Sequence, residues 1–247
     1  MNILIMTATI TPKADVRSLG RKDPALRRKD YEDALWFYGR LVGQCIDRIV
    51  FVENSESDLS SLKAIAQQLN IVDDIEFISF PGLDYPQMYG RGYGELSLLD
   101  YAMENSQFIR ECDVDTPIWK VTGRYIVLNI AKLIQQRPAF DFYCNMRNYP
   151  KKVVDMYMMA WTTAGYRKYL QEKCKLYEKS SAAAFPERAL RDDFDAAPRT
   201  PQFVRRFRTV PLVSGIRGLD NKGYATDNVW KFYVRVVLDR MCPWLWI

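Results

Sequence analysis

Hydrophobic positions along this chain follow two alternating rhythms. Short apolar runs at Asn2 to Ile10, Arg48 to Val52, Ile75 to Phe80, Ile118 to Val121 and Phe140 to Asn145 have the length and β-branched content of buried strands. Between them, apolar residues recur at three- and four-residue spacing. Ala34, Leu35, Tyr38, Leu41 and Val42 mark one helix within Tyr31 to Cys45, with Asp30 placed to cap it, and further helices are predicted over Leu59 to Leu69 and Glu95 to Ser106. Pro12 to Asp30 is polar and dense in charge, so it reads as a long loop after the first strand. Strands alternating with helices predict an α/β protein: a Rossmann-type, mostly parallel sheet flanked by helices.

The later part of the chain is less regular. Helix spacing returns from Gly165 to Lys179, and Phe185-Pro186-Glu187 opens a short helix with proline in its first turn. Phe203 to Val213 reads as a strand pair element. From Asp227, Trp230, Tyr233, Val234, Val237, Leu238 and Met241 recur at helical spacing before the ending Cys-Pro-Trp-Leu-Trp-Ile. The pattern divides into residues 1–224, one catalytic-sized domain, and residues 225–247, an amphipathic helix with a Trp-rich tail.

In open α/β sheets ligands bind beyond the carboxyl ends of the strands. The residues there are informative. Thr7, Ala8 and Thr9 end the first strand with small side chains that a ligand can approach, and Glu53 and Asn54 end the second, where a ribose or base is commonly read. After the third strand, Gly90, Arg91, Gly92, Tyr93 and Gly94 read as a loop able to wrap a phosphate that Arg91 neutralises. The spacing is neither GxGxxG nor a Walker A sequence. Lys120, Thr122, Gly123, Arg124 and Tyr125 form a strand end and sharp turn, with the apolar run after it expected to begin a helix. Arg17 and Arg21 sit in the first loop, and Arg217 and Lys222 in a Gly-punctuated segment suited to closing over phosphates as a basic lid. Asp113 and Asp115 have DxD spacing but precede a strand, so they lie at its amino end and read as a solvated turn.

Composition narrows the chemistry. The 247 residues carry a net charge of +5, a mild excess that suits anionic partners, without the basic blocks or motifs of a nucleic-acid binder. The chain has no histidine, which removes histidine triads, histidine metal sites and histidine acid–base work and leaves carboxylates as general bases. Five scattered cysteines without CxxC spacing suggest neither a zinc site nor a disulfide framework. No run of eighteen apolar residues occurs, and MNILIMTATI is too quickly interrupted for a signal peptide, so a cytoplasmic location is expected. The tail allows two readings: an interfacial foot on the inner membrane, with tryptophans at headgroup depth beside arginines, or a helix docked on the core.

The MNILIMTATI strand, the VFVENS strand end, the GRGYGEL segment and above all KVTGRYIVLN resemble a group of bacterial surface-polysaccharide glycosyltransferases, over roughly residues 1–165. That resemblance implies a GT-A-like fold and a nucleotide-diphosphate sugar donor held at the strand ends. It also implies a saccharide or lipid-linked acceptor in O-antigen or capsule synthesis. Thr122-Gly123-Arg124 stands where metal-dependent members carry DxD, so a divalent cation is not favoured, and Lys120, Arg124 and Arg91 are expected to carry the positive charge that the leaving diphosphate needs. An inverting reaction needs a carboxylate base. Glu187 is first by analogy with the late-chain base of GT-A folds, followed by Asp155, a carboxylate in apolar sequence, and Glu95. The competing functions are a nucleotidyl- or phosphotransferase and a non-catalytic, membrane-associated nucleotide-binding protein.

Overall fold

A computed structural model describes residues 1–13, 19–218, 220–223 and 229–247. Arg17 and the other residues of 14–18, 219 and 224–228 lie outside the described residues. The chain runs β1 (Ile3–Ala8), α1 (Pro24–Gly39), β2 (Arg48–Glu53), α2 (Ser60–Gln68), β3 (Ile75–Ser79), α3 (Gly90–Asn105), α4 (Gln107–Arg110), β4 (Ile118–Thr122) and β5 (Ile126–Val127). It continues with α5 (Ile130–Gln135), β6 (Phe142–Arg147), β7 (Val153–Trp161), α6 (Thr163–Tyr169), α7 (Ser180–Ala184), α8 (Pro186–Ala196), β8 (Phe203–Val204), β9 (Val213–Ser214) and α9 (Val229–Met241).

Seven strands form one sheet in the order β3-β2-β1-β4-β7-β6-β8, while β5 and β9 pair separately. Parallel pairing joins β3, β2, β1 and β4, and β6 to β8. Strand β7 runs antiparallel to both of its neighbours, β4 and β6. This is the mixed, mostly parallel α/β sheet of a GT-A-like fold. The reversal of β7 matters for the site. With Val121 opposite Met158, the first residues of β7 extend past the carboxyl end of β4, so Asp155, Met156 and Tyr157 reach the ligand edge from an incoming strand.

Every residue of β1 is buried, because apolar clusters cover both faces of the sheet. On one side α1 packs Tyr31, Ala34, Leu35 and Tyr38 over Phe51 and Val121; on the other α3, α6 and α8 cover Phe142 and Trp161.

Several boundaries differ from expectation. Helix α1 starts at Pro24, within the stretch read as loop, because Asp23 rather than Asp30 caps it: its carboxylate accepts from the Ala25 and Leu26 N–H groups at 2.8 and 3.2 Å. Asp30 instead forms an ion pair with Arg21 at 2.8 Å. The glycine segment from Gly90 to Gly94 is the first turn of α3, not a loop. The run after Tyr125 makes the short strand β5 before α5 begins. Gly165 to Lys179 is shared between α6 and a 3-10 segment, Lys173–Glu178. Among the described residues no helix is long and apolar enough to cross a membrane.

Candidate active site

Beyond the carboxyl ends of β1, β2 and β4 lies a cleft of about 1380 Å³. Its described lining comprises ten basic side chains and three carboxylates. The basic residues are Lys13, Arg27, Arg91, Arg124, Arg147, Lys151, Arg217, Lys222, Lys231 and Arg235, and the acids are Glu95, Asp155 and Glu187. The volume exceeds that of a typical small-molecule pocket, and the charge favours a polyanion.

The centre of the site is built around Lys120, whose side chain is 1% exposed. Its ammonium forms an ion pair with Glu95 on α3 and donates to the Thr122 hydroxyl at 3.2 Å and to the Met156 carbonyl on β7 at 2.5 Å. All three ammonium protons therefore have partners. Glu95 also accepts from the Thr7 hydroxyl at 2.8 Å, tying α3 to β1. Burial pushes the Glu95 carboxyl up, but Lys120, Thr7 and Arg124 outweigh it and hold the group below the ordinary carboxylate range. The Lys120–Glu95 pair thus knits β1, α3, β4 and β7 together beneath the cleft.

The turn after β4 is formed by close backbone approach. Gly123 donates its N–H to the Thr7 carbonyl at 2.9 Å, and a Cβ there would stand 2.8 Å from that oxygen. Tyr125 N–H returns to the Thr122 carbonyl at 2.8 Å, so the Gly123 and Tyr125 amides are both engaged within the protein. The Tyr38 hydroxyl of α1 accepts from Val127 N–H at 2.8 Å and donates to the Tyr125 carbonyl at 2.9 Å, fixing the kink into β5. Arg124 stacks on the Tyr125 ring at 4.4 Å, donates to the Tyr125 hydroxyl at 2.6 Å, and bonds the Ile216 carbonyl. It faces the cleft but braces the segment carrying Arg217 and Lys222.

That basic segment is fastened rather than open. Gly218 accepts from Gly20 N–H at 2.7 Å, Asn221 donates to the Gly20 carbonyl at 3.1 Å, and Arg217 pairs with Asp220 at 2.6 Å.

Of the residues singled out in the sequence, Thr7, Ala8, Thr9, Asn54, Arg91, Gly92, Gly94, Glu95, Thr122, Arg124, Tyr125, Asp155, Glu187, Arg217 and Lys222 all line the cleft. Glu53, Gly90, Tyr93, Lys120 and Gly123 do not. Glu53 is fully buried and accepts from Ile10, Ser55 and Ser57 N–H groups at 3.0, 3.0 and 3.2 Å and from the Ser55 hydroxyl, so it locks two loops rather than reading a ribose. At Gly92 and Gly94 a Cβ would meet Pro186 at 2.6 Å and the Tyr85 hydroxyl at 2.3 Å, so both glycines let the start of α3 pack closely against its neighbours. The Tyr93 ring packs at a tilt against those of Tyr85 and Tyr89.

The three acids differ sharply. Asp155 is 4% exposed and accepts through Oδ2 from Asn145 at 2.7 Å and through Oδ1 from two guanidinium nitrogens of Arg147 at 2.9 and 2.7 Å. Glu95 is bound to Lys120. Glu187, in the exposed first turn of α8, makes no hydrogen bond or ion pair with the described residues. Among the cations, Arg91 makes none either. Residues 122–124 offer a hydroxyl, no side chain and a guanidinium, a donor set that does not fit a divalent cation. Asp113 and Asp115 are exposed at the amino end of β4, as expected.

Sequence reasoning missed Arg27, whose guanidinium donates to the Thr9 and Arg21 carbonyls at 2.7 and 3.1 Å beneath the β1 end. The signal existed: Arg27 continues the buried face of Tyr31, Ala34 and Tyr38 once α1 is started at Pro24. It also missed Lys231 and Arg235, placed at the cleft by the C-terminal helix.

No protein-family model and no curated protein sequence matches the chain. Among solved structures, an active-site mutant of the glycosyltransferase LgtC is similar in fold, with a TM-score of 0.51 at 12% identity over 95% of each chain. Weaker similarities are to 4-diphosphocytidyl-2C-methyl-D-erythritol synthase, TM-score 0.37 at 12% identity over 96% of this chain and 98% of that one, and to mannose-1-phosphate geranyltransferase from Thermus thermophilus. The latter has a TM-score of 0.31 at 12% identity over 81% and 68% of the two chains. The first likeness speaks for the fold alone.

Proposed function

We propose that this protein is a glycosyltransferase that moves a sugar from a nucleotide-diphosphate sugar to a hydroxyl of a saccharide or lipid-linked acceptor in bacterial surface-polysaccharide synthesis. The observation that carries the reading is the cleft: in a GT-A-like sheet, at the strand ends where nucleotides bind, ten basic side chains face three carboxylates.

The diphosphate leaves as its bond to the anomeric carbon breaks, and its charge is met by Arg91 together with the cationic wall of Arg217 and Lys222. Lys120 acts differently from the sequence expectation. With its three protons engaged, it positions Glu95 and Thr122 instead of contacting the leaving group. In an inverting reaction the acceptor oxygen bonds to the anomeric carbon while its proton passes to Glu187. That role falls to Glu187 because Asp155 and Glu95 are each held by cations. A retaining reaction leaves Glu187 without that task, and the anomeric configuration of the product decides between them. The reading needs no bound metal, and it includes contact between the C-terminal tail and the inner-membrane surface.

A hydrolysis screen over nucleotide sugars in EDTA tests it: slow release of one nucleoside diphosphate is expected. Release that demands Mn²⁺ overturns the metal-free form. No release from any donor, with nucleotidyl transfer from a nucleoside triphosphate instead, overturns the assignment.

A further inference from the structure

Helix α9 has two faces with different surroundings. At 3.6 residues per turn, Trp230, Tyr233, Val234, Val237 and Met241 fall on one stripe about 100° wide. All five are exposed, Trp230 by 63% and Met241 by 69%, and exposed Trp244 follows them. Phe232 and Arg235 occupy the opposite side and Lys231 stands beside the stripe; all three line the cleft.

The helix is also tied to the cleft's other wall. Trp246 accepts from Asn148 N–H at 2.7 Å through its carbonyl, and its ring lies 5.7 Å from the Arg191 guanidinium. Arg191 in turn donates to the Arg147 carbonyl and the Asn148 side chain, both at 2.8 Å. Arg206 pairs with Asp239 and bonds the Pro243 carbonyl. The segment from Arg147 to Val153 that this tail holds contributes Arg147, Pro150, Lys151 and Val153 to the cleft.

The charge around the stripe selects its occupant. Lys231 and Arg240 flank it, whereas Asp239, the acid of α9, is turned away and neutralised by Arg206. An apolar stripe with indole and phenol rings and cationic borders fits an anionic bilayer surface, where aromatic rings sit at headgroup depth and basic residues meet lipid phosphates. Resting on the glycosyltransferase reading, we infer that the outer face of α9 docks on anionic lipid and that docking fixes the inner face and the 147–153 segment, tightening the nucleotide cleft. The acceptor would then be lipid-borne, delivered on the side where the cleft wall meets the membrane.

Because the two events share one helix, bilayer and nucleotide must strengthen each other by the same factor. The test measures the affinity of the best-bound nucleoside diphosphate with and without phosphatidylcholine vesicles containing 30% phosphatidylglycerol, alongside vesicle co-sedimentation. The wild type is compared with Trp230→Ser/Val237→Asp and with Arg240→Gln. Expected are adsorption to the anionic vesicles only, nucleotide affinity tightened about threefold or more on them, and partitioning weakened about fivefold by Arg240→Gln. The double variant should keep the vesicle-free nucleotide affinity and lose both adsorption and the enhancement. Nucleotide binding indifferent to vesicles overturns this inference while leaving the function reading intact, and adsorption unaffected by the double variant overturns the docking face. A wild-type dimer that the double variant dissociates would assign the stripe to a second copy and also overturn it. If no nucleoside diphosphate binds at all, the function reading and the coupling fail together, and co-sedimentation still decides the docking.

Discussion

Lys120→Met retains the length of the side chain and removes a buried ammonium, so its effect isolates charge from packing. Glu95 then keeps only the Thr7 hydroxyl and Arg124 at longer range, with a quarter of its side chain in solvent, while the Met156 carbonyl loses its donor. Removing one partner of a buried pair costs about 3–5 kcal/mol, and the partial exposure of Glu95 places the expectation near the lower end, about 3 kcal/mol. Glu95→Gln is expected to cost about 2 kcal/mol by leaving the ammonium without its carboxylate. The double variant should cost about 3 kcal/mol rather than the sum, a coupling of about 2 kcal/mol. Urea denaturation of the four proteins at pH 7 reads these values. The pH dependence has a definite sign: because the folded Glu95 is held below its ordinary 4.5, the pair's contribution is complete above that value and lost as pH falls through the lower folded one. The gap between wild type and Lys120→Met should therefore narrow on acidification. A cost below about 1 kcal/mol, or additive single variants, would refute the pair as the anchor of the site.

Further variants probe individual contacts. Gly123→Ala sets a Cβ 2.8 Å from the Thr7 carbonyl, and a loss of about 1–3 kcal/mol in thermal or urea melts is expected, since backbone must move. Tyr38→Phe leaves the buried Val127 N–H without its acceptor and should cost about 1–3 kcal/mol by the same assay. Glu187→Gln should leave the melting temperature unchanged and lower transfer in an inverting reaction by about 10²–10⁴-fold, measured on the donor that the hydrolysis screen identifies. Asp155→Asn, by contrast, should lower stability first, because it removes the buried negative charge that pairs with Arg147.

The strands of the first half were legible because parallel strands buried on both faces leave unbroken apolar runs, as in residues 3–8 and 48–53. The α1 start was misplaced because Asp23 and Pro24 are a cap and first turn hidden in a charged stretch, where apolar periodicity is masked by a buried arginine, Arg27. Most candidate residues do reach one cleft, since strand carboxyl ends converge whatever the loops do. Their roles were less legible. A glycine needed for a Tyr85 contact looks in sequence like a glycine needed for a phosphate, and a lysine with three internal partners looks like a free cation. The two tryptophans of the tail part company: Trp246 packs on the core while Trp244 stays exposed, a division fixed by the chain reversal after α9 that helical spacing does not encode.

The central claim, a nucleotide-sugar site whose charge comes from side chains, is tested most directly by titration calorimetry with UDP, GDP, CDP and ADP in EDTA, on wild type and Arg91→Ala. The account predicts that one diphosphate binds without metal and that Arg91→Ala weakens it by about tenfold or more, the worth of one charge-assisted hydrogen bond. Absence of binding by every diphosphate, or binding that Arg91→Ala leaves untouched, would contradict it.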